Sequence, residues 1–371
     1  MKVVFLSSNL SAKLSFLNHA VSQRGQLPIL SNILLETKAG KFFLSATDLE
    51  IGIQTSITAN IEEEGRITTP AKNFSELISN LTDEKVTLLL DGQNLKISTP
   101  KVKTTFQTVP ADEFPKLYEE KGKEVAQVKK EVLERIFGRV VFAASTDASR
   151  PNLSGVLITK GKKGNYIAVA TDGYRLSLQT DILITEKEES ERQELLVPAR
   201  LLREVITLKE EGNEIKMFVF EKNNQVIFTQ GETSIVGRLI EAEYPDYEKI
   251  IPDKFEVKAI FQREDLQNAV RICSVFARET ANVVKLSLQK GKIIVSANSP
   301  AVGENTVEVE AKVEGEENEI AFNARYLTDL LSSVQEEIMS FEMQGPANAG
   351  VFRIEGDKTF LHLIMPIRVQ E

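Results

Sequence analysis

Thr69-Pro70-Ala71-Lys72-Asn73-Phe74-Ser75-Glu76-Leu77-Ile78 recurs twice more along the 371-residue chain, and its recurrence sets the fold. Val197-Pro198-Ala199-Arg200-Leu201-Leu202-Arg203-Glu204-Val205-Ile206 repeats it nearly in register, and Phe322-Asn323-Ala324-Arg325-Tyr326-Leu327-Thr328-Asp329-Leu330-Leu331 repeats it with Asn for Pro. Apolar residues fall at helical spacing in each copy: Phe74, Leu77, Ile78, Leu81; Leu202, Val205, Ile206; Leu327, Leu330, Leu331, Val334. That period predicts one buried stripe of an α-helix. A single cation, Lys72, Arg200 or Arg325, stands just outside each stripe. Pro70, Pro198 and Asn323 are spaced by 128 and 125 residues, close to a third of the chain. Proline suits the first turn of the first two helices, where its missing N–H would have no intrahelical partner.

Working outward, each third reads in the same order. An earlier amphipathic helix is predicted from Leu10, Leu14, Leu17 and Val21, then from Leu133, Phe137, Val140 and Ala144, then from Leu266, Val270, Cys273 and Ala277. A β-hairpin follows it, around Gly40, then Gly161 and Gly164, then Gly291, and ends at Asp48, Asp172 or Asn298. Further strands follow the motif helix in each third, and residues 119–124 and 252–254 read as linkers. The fold class is α+β, three tandem copies of one unit, with domains at 1–120, 127–252 and 253–371. A period this long means domain triplication, not a solenoid of short repeats.

Composition bounds the function. Hydrophobic content of 42% and charged content of 27% are those of a globular protein. A single cysteine, Cys273, excludes a disulfide framework and cysteine metal clusters, fits a cytoplasmic setting, and falls on a buried stripe. No segment reaches membrane-spanning length and no signal peptide is predicted. His19 and His362 lie too far apart to form a local metal pair, and no glycine-rich phosphate loop or serine elbow occurs. Asp48, Glu50 and Asp172 are read as turn formers rather than metal carboxylates, because the third copy carries Asn298. No metal, no cofactor and no catalysis are expected.

The charge is informative by where it lies. Helices predicted at 11–24, 71–81, 129–144, 199–209, 263–278 and 324–334 carry a net +7, leaving −16 on the remainder of a chain of net −9. If helices line one surface and strands another, the first attracts a polyanion and the second repels it. Such phosphate attraction is independent of sequence.

The chain resembles the bacterial DNA polymerase III beta subunit, the sliding clamp family, over its whole length. The resemblance is carried by Arg24-x-x-Leu27-Pro28-Ile29-Leu30-Ser31-Asn32, Thr47-Asp48-Leu49-Glu50, Pro70-Ala71-Lys72, Ala170-Thr171-Asp172-Gly173-Tyr174-Arg175-Leu176, Tyr244-Pro245-Asp246-Tyr247 and Met365-Pro366-Ile367-Arg368. It implies a head-to-tail homodimeric ring with helices lining the hole and sheets outside. It implies a non-catalytic processivity factor that encircles duplex DNA, slides, and tethers partners.

The resemblance also implies sites. DNA-contact positions map onto Arg24, Lys72, Arg150 and Asn152, and the basic-helix reading adds Arg200. Pro151 and Asn152 stand where the family often carries aromatic residues. A pocket for short linear peptides maps onto Leu153, Thr171, Gly173, Tyr174, Arg175 and Leu176, onto Pro245, Lys249 and Ile250, and onto Val351, Leu363, Met365, Pro366, Ile367 and Arg368. The implied partners are the replicative polymerase alpha subunit, the clamp loader, translesion polymerases and repair proteins. Ring closure maps onto the edge strand bearing Phe106 and the helix end at Val275 and Phe276. An unpaired edge strand invites completion by another chain. The competing reading is a monomeric three-domain peptide-binding scaffold without DNA encirclement.

Overall fold

The computed structural model describes residues 1–22, 27–81, 85–161, 165–187 and 194–368. Among them are six α-helices: α1 (Ser7–Leu17), α2 (Ala71–Asn80), α3 (Lys130–Val141), α4 (Ala199–Thr207), α5 (Arg263–Ala277) and α6 (Ala324–Ser333). Each copy of the motif ends a strand and starts a helix. Strands Gly65–Pro70, Glu194–Pro198 and Asn318–Asn323 run directly into α2, α4 and α6. The expected stripes are buried at Phe74 and Ile78, at Leu202 and Val205, and at Leu327, Leu330 and Leu331, with Leu77 and Ile206 half-buried at the margins.

Pro70 is the residue before α2 rather than its first helical residue. In the third copy Asn323 does more than replace it, because its side-chain oxygen accepts the N–H of Arg325 at 2.9 Å. That is an N-cap bond, satisfying one of the orphan donors at a helix start.

The first helix differs from expectation. It spans Ser7–Leu17, not 11–24, and gives way to a 3-10 turn at Asn18–Ala20, so Val21 lies past it in extended backbone. Ser7, Ser8 and Asn9, ordinarily capping residues, sit inside the helix because strand Lys2–Leu6 leads into it without a break. Likewise α3 stops at Val141, short of Ala144. The stripes on these helices are nonetheless core: Leu10, Leu14 and Leu17, then Leu133, Phe137 and Val140, then Leu266, Val270, Cys273 and Ala277 are all buried. The Cys273 thiol donates toward the Val295 carbonyl and Asn305 Oδ1, and burial pushes its pKa up to about 11. It is core filler.

The chain forms two compact units, and the second repeat contributes to both. The first takes Met1–Glu131, a piece beginning at Thr185, and Arg200–Leu239. It holds a five-stranded sheet with Lys103–Gln107 at one edge. It also holds a nine-stranded sheet in which second-repeat strands continue into first-repeat strands. The join is antiparallel, Thr233–Arg238 against Ile51–Ile57, with Ile235 opposite Ile53 and Gly237 opposite Ile51. The second unit takes Val132–Ile184, a piece ending at Ala199, and the chain from Ile240 onward. Its twelve-stranded sheet joins the second and third repeats at Arg175–Ile182 against Asp357–Ile364. Here Arg175 faces Ile364, Leu176 faces Leu363 and Ser177 faces His362. A strand pair between neighbouring repeats therefore occurs twice in the same way.

Candidate functional site

The turn between strands Tyr166–Thr171 and Arg175–Ile182 organises the site. The Asp172 carboxylate accepts the N–H groups of Tyr174 (2.9 Å) and Arg175 (3.0 Å). The Thr171 hydroxyl accepts the Gly173 N–H and donates to the Arg175 carbonyl. Short polar side chains thus replace the strand ladder with a local one, which is how Asp and Thr form turns. The first repeat builds the same turn, with Asp48 accepting from Glu50 and Ile51, and Thr47 bonded to Leu49 and Ile51. These carboxylates are turn formers. Gly173 has φ +91, and Leu49 holds the equivalent left-handed conformation at φ +76. In the third repeat the strands run further before turning, and the turn lies between Ser299 and Gly303.

Several expected pocket residues converge here. A Cβ on Gly173 would lie 3.5 Å from Arg150 Nη1 and 4.0 Å from Leu153 Cδ1, so Arg150 and Leu153 flank the turn. Below it, Leu176, Val351 and Leu363 join Leu157, Val169, Leu196, Ala349 and Leu361 in one apolar cluster. Tyr244, Tyr247 and Ile251 pack against this floor, and the Tyr244 hydroxyl bonds the Val169 carbonyl. Burial pushes the Tyr244 phenol pKa upward. Tyr174, Ile250 and Met365 are roughly half exposed, and Ile250 adjoins Ile251 of the floor in the chain. The Met365 N–H donates to the Tyr174 carbonyl at 2.8 Å, fixing the C-terminal segment to the turn.

Other expected pocket residues lie outside this apolar cluster. Pro245 and Lys249 are exposed, and Lys249 pairs with Asp246 at 2.7 Å. Pro366 is half-buried. The Ile367 N–H donates to the Ala321 carbonyl, and Ile367 and Arg368 line a separate cavity of about 460 Å³ beside Lys285, Ser296, Asn298 and Glu304. Arg175 lies under the turn. It is 8% exposed, with Nε bonding Asp172, Nη1 bonding Asp329 at 2.7 Å and Nη2 bonding the Phe142 carbonyl at 3.0 Å. Its guanidinium also lies 4.6 Å from the Tyr326 ring centroid. Asp329, Tyr326 and Phe142 escaped sequence reading, though Asp329 lies within the third copy of the opening motif.

The cations are distributed less simply than their count suggested. The observed helix spans carry +1, 0, +1, +1, 0 and 0, so the net +7 expected for the helices falls to +3. Arg139 on α3 is buried against Glu336, Asp357 and the Phe360 ring. Arg200 is held by Asp48 and, at 2.6 Å, by Glu50, so two carboxylates outweigh its charge. Lys72 is exposed on α2 and has no ion pair among the described residues. Arg150 lies 3.5 Å from Asp147, and Asn152 is half-buried in the 3-10 turn Pro151–Leu153. Arg24 lies outside the described residues.

At the expected closure surfaces, Phe106 is half-buried on the edge strand Lys103–Gln107. Val275 is exposed on α5, as is Ile272, and Phe276 packs against the third-repeat core. Among the described residues no cluster of His, Cys, Asp or Glu is arranged to hold a metal, and no helix is long and apolar enough to cross a membrane.

Three family models match in tandem: the N-terminal, central and C-terminal domains of the DNA polymerase III beta subunit, over residues 1–118, 127–246 and 248–368. Relatives include the beta sliding clamp of Synechocystis sp., 30% identical with both chains covered in full, and that of Staphylococcus aureus, 30% identical over 94% of each. Among solved structures, the Bacillus subtilis DNA polymerase sliding clamp superposes with a TM-score of 0.90 at 27% identity, covering both chains completely. The Bartonella birtlesii clamp, solved bound to griselimycin, gives 0.92 at 25% identity, also covering both chains completely.

Proposed function

The chain belongs to the DNA polymerase III beta subunit family, and from that membership we propose how its own residues perform the task of a sliding clamp. It is a replication processivity factor built of three tandem clamp domains. We place those domains at 1–120, 127–252 and 253–371, and read the protein as a cytoplasmic accessory subunit without chemistry of its own.

The observation that carries the ring is a pair of leftover strand edges. In each repeat an exit N–H returns to the strand before the motif helix: Val109 to Thr68, Ile240 to Leu196, Ile367 to Ala321. Three residues earlier stand Phe106, Gly237 and Ile364. Gly237 pairs with Ile51 and Ile364 pairs with Arg175, which are the residues that follow the turn in the first and second repeats. Their third-repeat counterpart is Gly303, which closes the turn against Ser299. The edge strand at Phe106 has therefore used neither of the intrachain joins. Head-to-tail pairing of two chains then sets Phe106 opposite Gly303, Thr105 opposite Glu304 and Thr104 opposite Asn305. Val275 and Phe276, at the end of α5, would cover the Phe106 side of this join. Light scattering at micromolar concentration tests the dimer; a stable monomer would favour the peptide-binding scaffold instead.

Within such a ring, duplex DNA is held by topology, so weak sequence-independent contacts suffice. Lys72 is the best-supported contact because it is exposed and has no ion pair among the described residues. Arg24, Arg150 and Asn152 remain family-derived contacts, while Arg200 contributes less through its own charge because Asp48 and Glu50 oppose it. Partner peptides are proposed to seat on the Leu176–Val351–Leu363 floor under the Tyr174, Ile250 and Met365 rim. Pro245, Lys249, Pro366, Ile367 and Arg368 would lie further along the same peptide path. The polymerase alpha subunit, clamp loader, translesion polymerases and repair proteins are the proposed partners. Relatives solved with griselimycin support a ligand-receiving surface in the family, and we propose that this chain binds griselimycin at the same floor.

A further inference from the structure

We propose that Asp329, assisted by Tyr326, is a positioning residue for the peptide-receiving turn: from α6 it holds Arg175, and through Arg175 it fixes Gly173 and Tyr174 at the rim. The inference rests on the reading that this floor receives peptides.

Arg175 is the residue through which turn and helix meet. One face of its guanidinium bonds Asp172, the same carboxylate that organises the turn through the Tyr174 and Arg175 N–H groups. The opposite arm bonds Asp329, and the plane lies against the Tyr326 ring. A planar guanidinium with five directed donors suits such multi-sided bonding, and a lysine would supply only a point charge. Charge-assisted bonds at 2.7–3.1 Å in a site this buried are stronger than neutral ones and fix direction. Gly173 and Tyr174 bond directly to Thr171, Asp172 and Met365, so the orientation of the rim follows that of the turn.

The first repeat provides an independent instance. There α4 holds the equivalent turn through Arg200, which bonds Asp48 and Glu50. The two links use different positions of the motif helix: in one case its second residue, Arg200, bonds the carboxylates of the turn, and in the other its sixth residue, Asp329, bonds the arginine that follows the turn. In both cases the turn of one repeat is tied to the motif helix of the next by an arginine–carboxylate bond.

The test measures griselimycin affinity of the full chain for wild type, Asp329→Asn, Asp329→Glu and Tyr326→Leu, with amide hydrogen exchange over residues 171–176 and thermal unfolding. Asp329→Asn is expected to weaken griselimycin about tenfold and to speed exchange in the turn, leaving Tm and dimer mass near wild type. Asp329→Glu is expected to recover most of the affinity, and Tyr326→Leu to reproduce part of the loss even if Asp329→Asn folds poorly. Affinity within twofold of wild type in both Asp329→Asn and Tyr326→Leu would overturn the inference. So would a loss tracking Tm with no local change in exchange. Failure of the wild type to bind griselimycin at all would instead refute the floor as the ligand site.

Discussion

Ser177 and His362 face each other across the join between the second and third repeats, Oγ to Nδ1 at 2.6 Å, and both are fully buried. The histidine ring lies 5.2 Å from the Phe142 ring centroid, and its Nε2 has no hydrogen-bond partner among the described residues. Burial, with Arg175 nearby, drives its pKa well below the ordinary 6.5. The folded state therefore refuses a proton that the unfolded chain accepts, so stability is full above 6.5 and is lost as pH falls through that value. Chemical denaturation between pH 7.5 and 5 is expected to show this loss, approaching about 1.4 kcal/mol per pH unit. His362→Asn should be less stable at neutral pH and show a shallower slope. An unchanged slope would remove His362 from the account.

Two positions on equivalent turns should respond oppositely. Gly173→Ala places a side chain at φ +91 and against Arg150, so a loss of about 1 kcal/mol and weaker griselimycin binding are expected. Leu49 already bears the left-handed strain, about 1–2 kcal/mol for an L-residue. Leu49→Gly is expected to be neutral or stabilising by up to about 1 kcal/mol, since glycine's entropic cost offsets part of the relief. Urea unfolding of both variants checks the pair.

Lys72 and Arg200 hold corresponding places in the repeated motif but should behave differently. Lys72→Ala removes an exposed charge that has no ion pair among the described residues, and is expected to lower the salt dependence of DNA association by about one phosphate's worth per subunit. Arg200→Ala removes the link to Asp48 and Glu50, and its main expected effect is faster hydrogen exchange in residues 47–51. DNA association against salt concentration, measured for both, separates them.

The closure should differ chemically from the two intrachain joins. The second join carries Leu176, Leu178, Leu361 and Leu363 on one face, in one apolar cluster. The closure would set Glu304 near Lys103 and Thr105, beside the polar cavity lined by Lys285, Ser296 and Thr306. Dimer dissociation is expected to rise with salt while unfolding of each chain changes little, as exposed charge pairs are screened. Under mild oxidation, Thr105→Cys with Glu304→Cys should form a disulfide between chains. Thr105→Cys with Asn305→Cys, one residue out of register and pointing to the other face, should not.

What the sequence made legible was local. The motif helices declared themselves through stripes that bury Phe74, Leu202 and Leu327, and Asp48 and Asp172 could be read as turn formers from their place after strands. The start of α1 was obscured because Ser7, Ser8 and Asn9 look like caps but continue directly from a strand. The fate of Arg200 was invisible because its partners lie 150 or more residues away in the chain. The same distance hid the division of the second repeat, whose strands pair with first-repeat strands in one sheet and third-repeat strands in another. Family resemblance supplied the pocket's membership, but the burial of Arg175 under the turn was invisible because Asp329 lies 154 residues away in the chain.

Retention on DNA tests the central claim most directly. The Thr105→Cys, Glu304→Cys clamp is loaded onto nicked circular duplex by a clamp loader, oxidised closed, and passed over a sizing column before and after the circle is linearised. A sliding ring predicts retention on the circle at high salt and loss once free ends exist. Equal retention on circular and linear DNA, or none on the circle after closure, would contradict topological encirclement.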